Sequence, residues 1–350
     1  MKIHHRFDGL DREFFVIGEN VHTTRALLRR NKRVTTDESG ADAVSYTGPD
    51  GETRFLVIPE TIKNTQDFQE GRVKHVKAAL YHAMHGDNSS DQQAGLDYIQ
   101  DIVRLQEAAG ADYLDINVDE VSLKKEEQIE AMAWLTKQVQ DMATRPLSID
   151  SSDIDIIAAG LAAYDGRNGP ALLNSASMER RQALDLAVDH GAAVIVTAAG
   201  ESAMPDGTEG RVANGSTMIE AALEKGIAAK DIYLDPLVFP VAVDPDYGRH
   251  CLDAITEIRR RFGPDIHITG GISNASFGVP ARKYINEAFL RLAVAAGSDS
   301  GIMDPVQNPP EIALGPGEPS LGIKLATDVV LGQDGDCAAY IKAWRKKELL

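Results

Sequence analysis

From about residue 90 onward the chain repeats one unit: a short apolar, β-branched run, a polar or glycine-bearing break, then a longer amphipathic run. That rhythm signals a parallel βα architecture, because parallel neighbours need a crossover connection between them. The strand candidates are Asp112–Asn117, Pro146–Asp150, Ala171–Asn174, Ala192–Thr197, Ile232–Asp235, Ile266–Thr269 and Ser300–Met303. Phe14–Gly18 near the start adds the eighth. Helical patterns lie between them at Gln92–Ala109, Lys125–Met142, Ile154–Ala163, Arg180–His190, Thr217–Lys225, Tyr247–Arg261 and Ile285–Ala296. Several stop at a glycine placed to cap them, as at Gly110 and Gly191. Eight strand–helix units over roughly 250 residues is the size of an α/β (β/α)8 TIM barrel. An open doubly wound sheet shows the same periodicity.

Residues 25–86 break the rhythm. A polar, turn-rich stretch, Thr35–Gly51, separates two candidate strands, and a basic helical run, GRVKHVKAALYHAMHG, follows. The segment reads as a β-hairpin/helix insertion after the first strand. Lys74, His75, Lys77, His82 and His85 invite a metal reading, but histidines interleaved with lysines at helical spacing read as a solvated face. Residues 304–350 open with a proline-rich loop, and the tail from Leu321 returns to helical patterning as C-terminal helices. The chain reads as a single domain over residues 1–350.

Composition narrows the partners. Lys+Arg 36 against Asp+Glu 53 gives a net charge of −17, which argues against nucleic-acid and anionic-membrane partners, since both demand a basic face. Cys251 and Cys337 form no CxxC or Cys/His cluster, so neither a disulfide framework nor a thiolate zinc site is expected. The amino-terminal stretch MKIHHRFDGLDREFF lacks an apolar signal region, and no run of about 18 apolar residues occurs. A soluble, cytoplasmic protein is the expectation.

Chemistry is signalled where polar residues recur at the carboxyl ends of the strand candidates: Asp115 and Asn117, Asp150, Asn174, Asp235, and Asn274 just after Gly270-Gly271. In a barrel those ends converge on the face that carries catalysis. One such residue would merely cap a helix or satisfy a turn; five strands with the same ending argue for a site. Carboxylates and carboxamides match the in-plane N–H and C=O groups of a heterocycle such as a pterin. Oxygen ligation of a divalent cation by Asp115, Asp119, Glu120 and Asp150 is the weaker option, because their spacing is not diagnostic, and no metal is expected.

Six segments in order, FVIGEN (15–20), YLDIN (113–117), LSIDS (147–151), LLNS (172–175), YLDP (233–236) and GGISNAS (270–276), resemble the pterin-binding barrel. Within it they most resemble the methyltetrahydrofolate:corrinoid methyltransferases, including the folate module of cobalamin-dependent methionine synthase. Dihydropteroate synthase shares the barrel but characteristically carries Ser-Arg-Lys after its seventh strand, where this chain has Ser273-Asn274-Ala275. It also carries Asn-x-Thr-x-Asp-Ser-Phe after its first strand, where this chain has Glu19 to Thr24.

The resemblance implies that Asp150, Asn174 and Asp235 hydrogen bond the pterin, that Gly271 and Ser273 shape the adjacent wall, and that Asn274 lies beside N5 as the catalytic residue. Glu19, Asn20, Asp115 and Asn117 would support them from behind. It further implies methyl transfer between N5 of tetrahydrofolate and the cobalt of a corrinoid, with tetrahydrofolate or 5-methyltetrahydrofolate as substrate. No DxHxxG-type cobalamin motif occurs, so the corrinoid is expected on a separate protein; a homodimer is the expected assembly. The Asp119-Glu120 pair is more acidic than the family pattern and bears on how that partner docks. A folate- or pterin-binding module without catalysis is the alternative of different class, and dihydropteroate synthase a poorer third.

Overall fold

The computed structural model describes residues 13–315 and 317–349. Eight strands follow one another as β1 (Phe15–His22), β2 (Tyr113–Asn117), β3 (Leu147–Asp150), β4 (Leu172–Ala176), β5 (Ala193–Thr197), β6 (Ile232–Asp235), β7 (His267–Ile268) and β8 (Ser300–Met303). They form one sheet in the order β7-β6-β5-β4-β3-β2-β1-β8. β7 and β8 also meet: Asp299 N–H donates to Ile268 O at 3.2 Å and Ile302 N–H to Gly270 O at 2.9 Å. That link between the two ends of the order makes the fold an α/β (β/α)8 barrel, and the open-sheet alternative falls.

The chain divides into two compact units, one comprising the residues up to Gly18, Ala109–Tyr113 and those from Leu172 onward, the other Glu19–Ala108 and Leu114–Ala171. In the first, Ile17, Leu172, Ala193, Ile195, Tyr233 and Ile302 form a buried cluster against which Tyr113 packs. Tyr233 stacks on His267 with ring centroids 4.5 Å apart and meets Phe15 and Tyr113 edge-on. Two buried aspartates complete the backbone pairing where strands begin. Asp112 Oδ2 accepts from Val16 N–H at 2.9 Å. Asp299 accepts from Ile268 N–H at 2.8 Å, from His267 at 2.9 Å and from Arg259 at 3.2 Å. Burial pushes the Asp299 carboxyl up, but these donors hold it below the usual carboxylate range.

The helix expected from Thr217 begins at Thr208 and runs to Glu224. Its first half is diluted by Gly210, Asn214 and Gly215, which hid it from a hydrophobic count. Gly215 has a packing reason, since a Cβ there would lie 3.1 Å from Leu234 of β6. The tail carries helices Leu321–Val330 and Ala338–Arg345, as its patterning implied.

In the second unit, β2 and β3 pair in parallel with Asp115 opposite Ser148 and Asn117 opposite Asp150. The insertion is richer than a hairpin: Val34–Thr36, Asp42–Thr47 and Thr53–Val57 make a three-stranded antiparallel sheet. The turn-rich stretch therefore contains a strand of its own, Asp42–Thr47, whose Ala43, Val44 and Tyr46 are buried. Helix His75–His85 packs on Ser89–Ala108, where Gly95 permits contact so close that a Cβ would sit 2.5 Å from Ala79 O. The solvated-face reading of that helix fails at His75. It is buried, its Nδ1 lies 2.9 Å from the Tyr98 hydroxyl, and burial together with Arg33 and Arg25 pulls its imidazole down to about 3. His82 bonds Val57 O at 2.8 Å, while His85 remains exposed. Among the described residues no helix is long and apolar enough to cross a membrane.

Candidate active site

In the second unit the polar strand ends are each held by hydrogen bonds. Residues 115 and 117 of β2 and 150 of β3 share a face of the sheet, because side chains alternate with a period of two and Asn117 lies opposite Asp150. Asn117 Nδ2 donates to Asp150 Oδ2 at 2.8 Å, and Asp119 N–H donates to Asn117 Oδ1 at 2.9 Å. Asn117 is thereby fixed at both ends of its amide. Asp115 is fully buried, and its Oδ2 lies 2.7 Å from Nε2 of His22. Asn20 donates its backbone N–H to Gln106 at 2.9 Å, and its side chain accepts from Arg25 at 2.7 Å; Arg25 also reaches Glu19 at 3.3 Å.

His22 is a member that the sequence reading passed over. That reading ended the first strand at Gly18, where the apolar run stops, whereas the strand continues to His22. The rule that flagged the other strand ends points to His22 once the true end is known.

Electrostatics follow from this crowding. Burial, then the neighbouring Asp115 charge, pushes the Asp150 carboxyl up to about 7, against the opposing pull of His22 and the Asn117 hydrogen bond. Burial alone would depress the His22 imidazole, but the hydrogen bond and charge of Asp115, with Asp150 and Glu19, raise it above its ordinary value. Among the described residues His22, Asp115 and Asp150 are a group of metal-ligating types, with ligand atoms within 4.8 Å of one another. The 2.7 Å contact joins the imidazole to Asp115, beside the second carboxylate of Asp150. Asp119 and Glu120 do not join that group. Asp119 accepts from Ser151 at 2.5 Å and Ser152 at 2.9 Å, and Glu120 pairs with Lys74 at 2.7 Å. Both acids are thus engaged within the chain.

In the first unit Asp235 ends β6, opposite Thr197 of β5. Its Oδ1 accepts from Leu237 N–H at 2.7 Å. Leu237 takes a left-handed φ of 68°, and its carbonyl faces Arg211 Nε at 3.4 Å. Arg211 is wholly buried, lies over the Phe239 ring at 4.8 Å and donates to Gly207 O at 3.1 Å. Gly270 backs the carboxylate, since a Cβ there would meet Val238 at 3.0 Å and Asp235 Oδ1 at 3.4 Å. Asn174 lies in β4 opposite Ile195, partly buried.

Ser273 and Asn274 belong to a 3-10 turn, Ile272–Ser276. Asn274 is exposed, and its amide folds back so closely over Gly271 that a Cβ on that glycine would lie 2.7 Å from Nδ2. Arg282 fastens the turn: it donates to Ser276 Oγ at 2.8 Å and Ser273 O at 2.7 Å, and lies over the Phe277 ring at 4.3 Å. Neither Arg211 nor Arg282 carried a sequence signal, because each acts on backbone carbonyls that only the fold brings within reach.

Burial pushes the Asp235 carboxyl up to about 6, with the Leu237 hydrogen bond and Arg211 opposing. Folding therefore strands a proton on Asp235 between the unfolded value, near 3.8, and about 6. The group stabilises the fold fully below pH 3.8 and loses that contribution as pH rises through 6. Asp235→Asn, which keeps the acceptor for Leu237, is expected to raise stability at pH 8 by roughly 1–3 kcal/mol and to leave it unchanged at pH 3.5. Thermal denaturation at the two values checks this, and equal shifts at both would show that the carboxylate pays no burial cost.

The family described as "Pterin binding enzyme" matches residues 84–304. The chain is 31% identical over 258 residues to the methylcorrinoid:tetrahydrofolate methyltransferase of Eubacterium limosum, covering 72% of this chain and 89% of that protein. It is 30% identical over 218 residues to methionine synthase of Mycobacterium leprae, covering 58% of this chain but 18% of that much longer protein. Among solved structures, a Yersinia pestis DHPS bound to a pterine-sulfa conjugate superposes with a TM-score of 0.51 at 19% identity, covering 62% of this chain and 86% of that one. That last likeness is one of fold.

Proposed function

The chain belongs to the pterin-binding enzyme family, and from that membership we propose that it is a methyltransferase moving a methyl group between N5 of tetrahydrofolate and a corrinoid carried by a separate protein. The observation that carries the reading is the match to the Eubacterium limosum enzyme across 89% of its length.

By the family resemblance we assign Asp150, Asn174 and Asp235 to the N–H groups of the pterin ring, carboxylates matching donors. The close fit of Asn274 over Gly271 makes a wall in which a larger residue at 271 has no room. The corrinoid, a substrate here, gives up its methyl group as a methyl-cation equivalent and keeps the electron pair of the cobalt–carbon bond on cobalt as Co(I); in the reverse direction Co(I) supplies that pair to the methyl carbon as the bond to N5 breaks. At N5 the lone pair forms the bond to the methyl carbon as that cobalt–carbon bond breaks, and the N5 proton then leaves to solvent; the reverse direction returns a proton to N5. Asn274 hydrogen bonds N5 as its charge changes, which favours the transition state over the bound substrate.

Calorimetric titration with 5-methyltetrahydrofolate and with dihydropterin pyrophosphate, followed by a methyl-transfer assay with free cob(I)alamin, tests the proposal. Binding of the folate with turnover is expected. Folate binding without turnover, even with added corrinoid proteins, would favour a non-catalytic folate-binding module. Preference for the pyrophosphate would favour dihydropteroate synthesis.

A further inference from the structure

Two carboxylates, Asp115 and Asp150, are brought to one face of neighbouring parallel strands, and β1 extends far enough to set an imidazole against the deeper of them. We propose that His22 is a positioning residue: as a cation paired with Asp115 it keeps Asp150 ionised and able to accept pterin N–H donors, and so sets the lower pH limit of folate binding. The ligand in this proposal rests on the pterin reading above.

The geometry carries the argument. Asp115 is wholly buried and meets His22 Nε2 at 2.7 Å, the separation of a charge-assisted hydrogen bond. Like charges this close cannot both ionise at ordinary cost, and a cation between them and solvent is the usual remedy. The groups acting on His22 are Asp115 from β2, Asp150 from β3 and Glu19 from its own strand, all favouring the charged ring. Glu19 is itself paired with Arg25 at 3.3 Å. Asp150 is acted on by Asp115 and Asp119 toward protonation and by His22 and Asn117 toward ionisation. His22 supplies the positive charge that opposes Asp115 at Asp150.

His22→Gln keeps a donor for Asp115 and removes the charge. The acid limb of tetrahydrofolate affinity is expected to move up by about one pH unit, giving about a tenfold loss near pH 6.5 and little at pH 9. His22→Lys is expected to restore the limb. In the unliganded wild type, the ring signal of His22, followed by NMR on histidine-labelled protein, should titrate above pH 6.5, and lower in Asp115→Asn. A His22→Gln variant that loses affinity by the same factor at every pH would mean that His22 merely holds structure and would overturn the proposal. So would a wild-type ring that titrates below 6.5. If the wild type binds no tetrahydrofolate at any pH, the functional reading has failed, while the ring titration still decides the charge of His22.

Discussion

Asp235→Ala will weaken tetrahydrofolate binding by about thirty- to a thousandfold, the equivalent of roughly 2–4 kcal/mol for a charge-assisted pair whose partner is left unsatisfied. The size follows from preorganisation. Leu237 N–H holds one carboxylate oxygen at 2.7 Å, Gly270 closes behind it and Arg211 braces the Leu237 carbonyl, so the orientation of the carboxylate is set by the fold. With its carboxyl near 6 the group is ionised at pH 7.5, where titration calorimetry should be run. Asp150→Ala should behave similarly. Unchanged affinity in both variants, with melting curves confirming the fold, would remove the pocket assignment.

Asn274→Ala is expected to separate binding from chemistry. One neutral hydrogen bond contributes about 0.5–1.5 kcal/mol net, so affinity should stay within about tenfold. The single-turnover rate of methyl transfer should fall by roughly two orders of magnitude or more, as when a donor that acts chiefly in the transition state is lost. The turn itself has independent support, since Arg282 fastens Ser273 O and Ser276 Oγ and the Asn274 backbone N–H donates to Gly271 O at 3.0 Å. Truncating the amide should therefore cost little stability. A rate loss no larger than the affinity loss, with a lowered melting temperature, would reduce Asn274 to a structural residue.

The parts legible in the chain were those where one physical signal dominates. Strands buried on both faces read as unbroken apolar runs, so β5 and β8 were placed to within a residue, and the polar residues that close β2, β3 and β6 stood out against those runs. The signal faded wherever hydrogen bonding outlasts hydrophobicity. Glu19 to His22 continue β1 with polar side chains, and the strand Asp42–Thr47 hides among turn residues. His75 looked like part of a solvated stripe because helical spacing cannot reveal Tyr98, 23 residues on, waiting to pack over it. The Asp119-Glu120 pair reads as a free acidic patch in the sequence, whereas in the fold Ser151 and Ser152 donate to Asp119 and Lys74 pairs with Glu120.

Asp112 and Asp299 stand immediately before the strands they precede and reach sideways to Val16 and Ile268, binding chain segments 96 and 31 residues apart. Each gives an acceptor to a main-chain donor of a neighbouring strand, while most residues assigned to the ligand stand at or just past strand ends. Endurance and chemistry are thereby written into different letters of the same unit. Selection for a new methyl-carrying partner or a changed pterin could rewrite Asn174, Ser273 or Phe277 without touching the residues that keep the strands joined. A library that randomises the strand ends and leaves both aspartates alone should yield mostly folded variants, whereas one aimed at the strand starts should not.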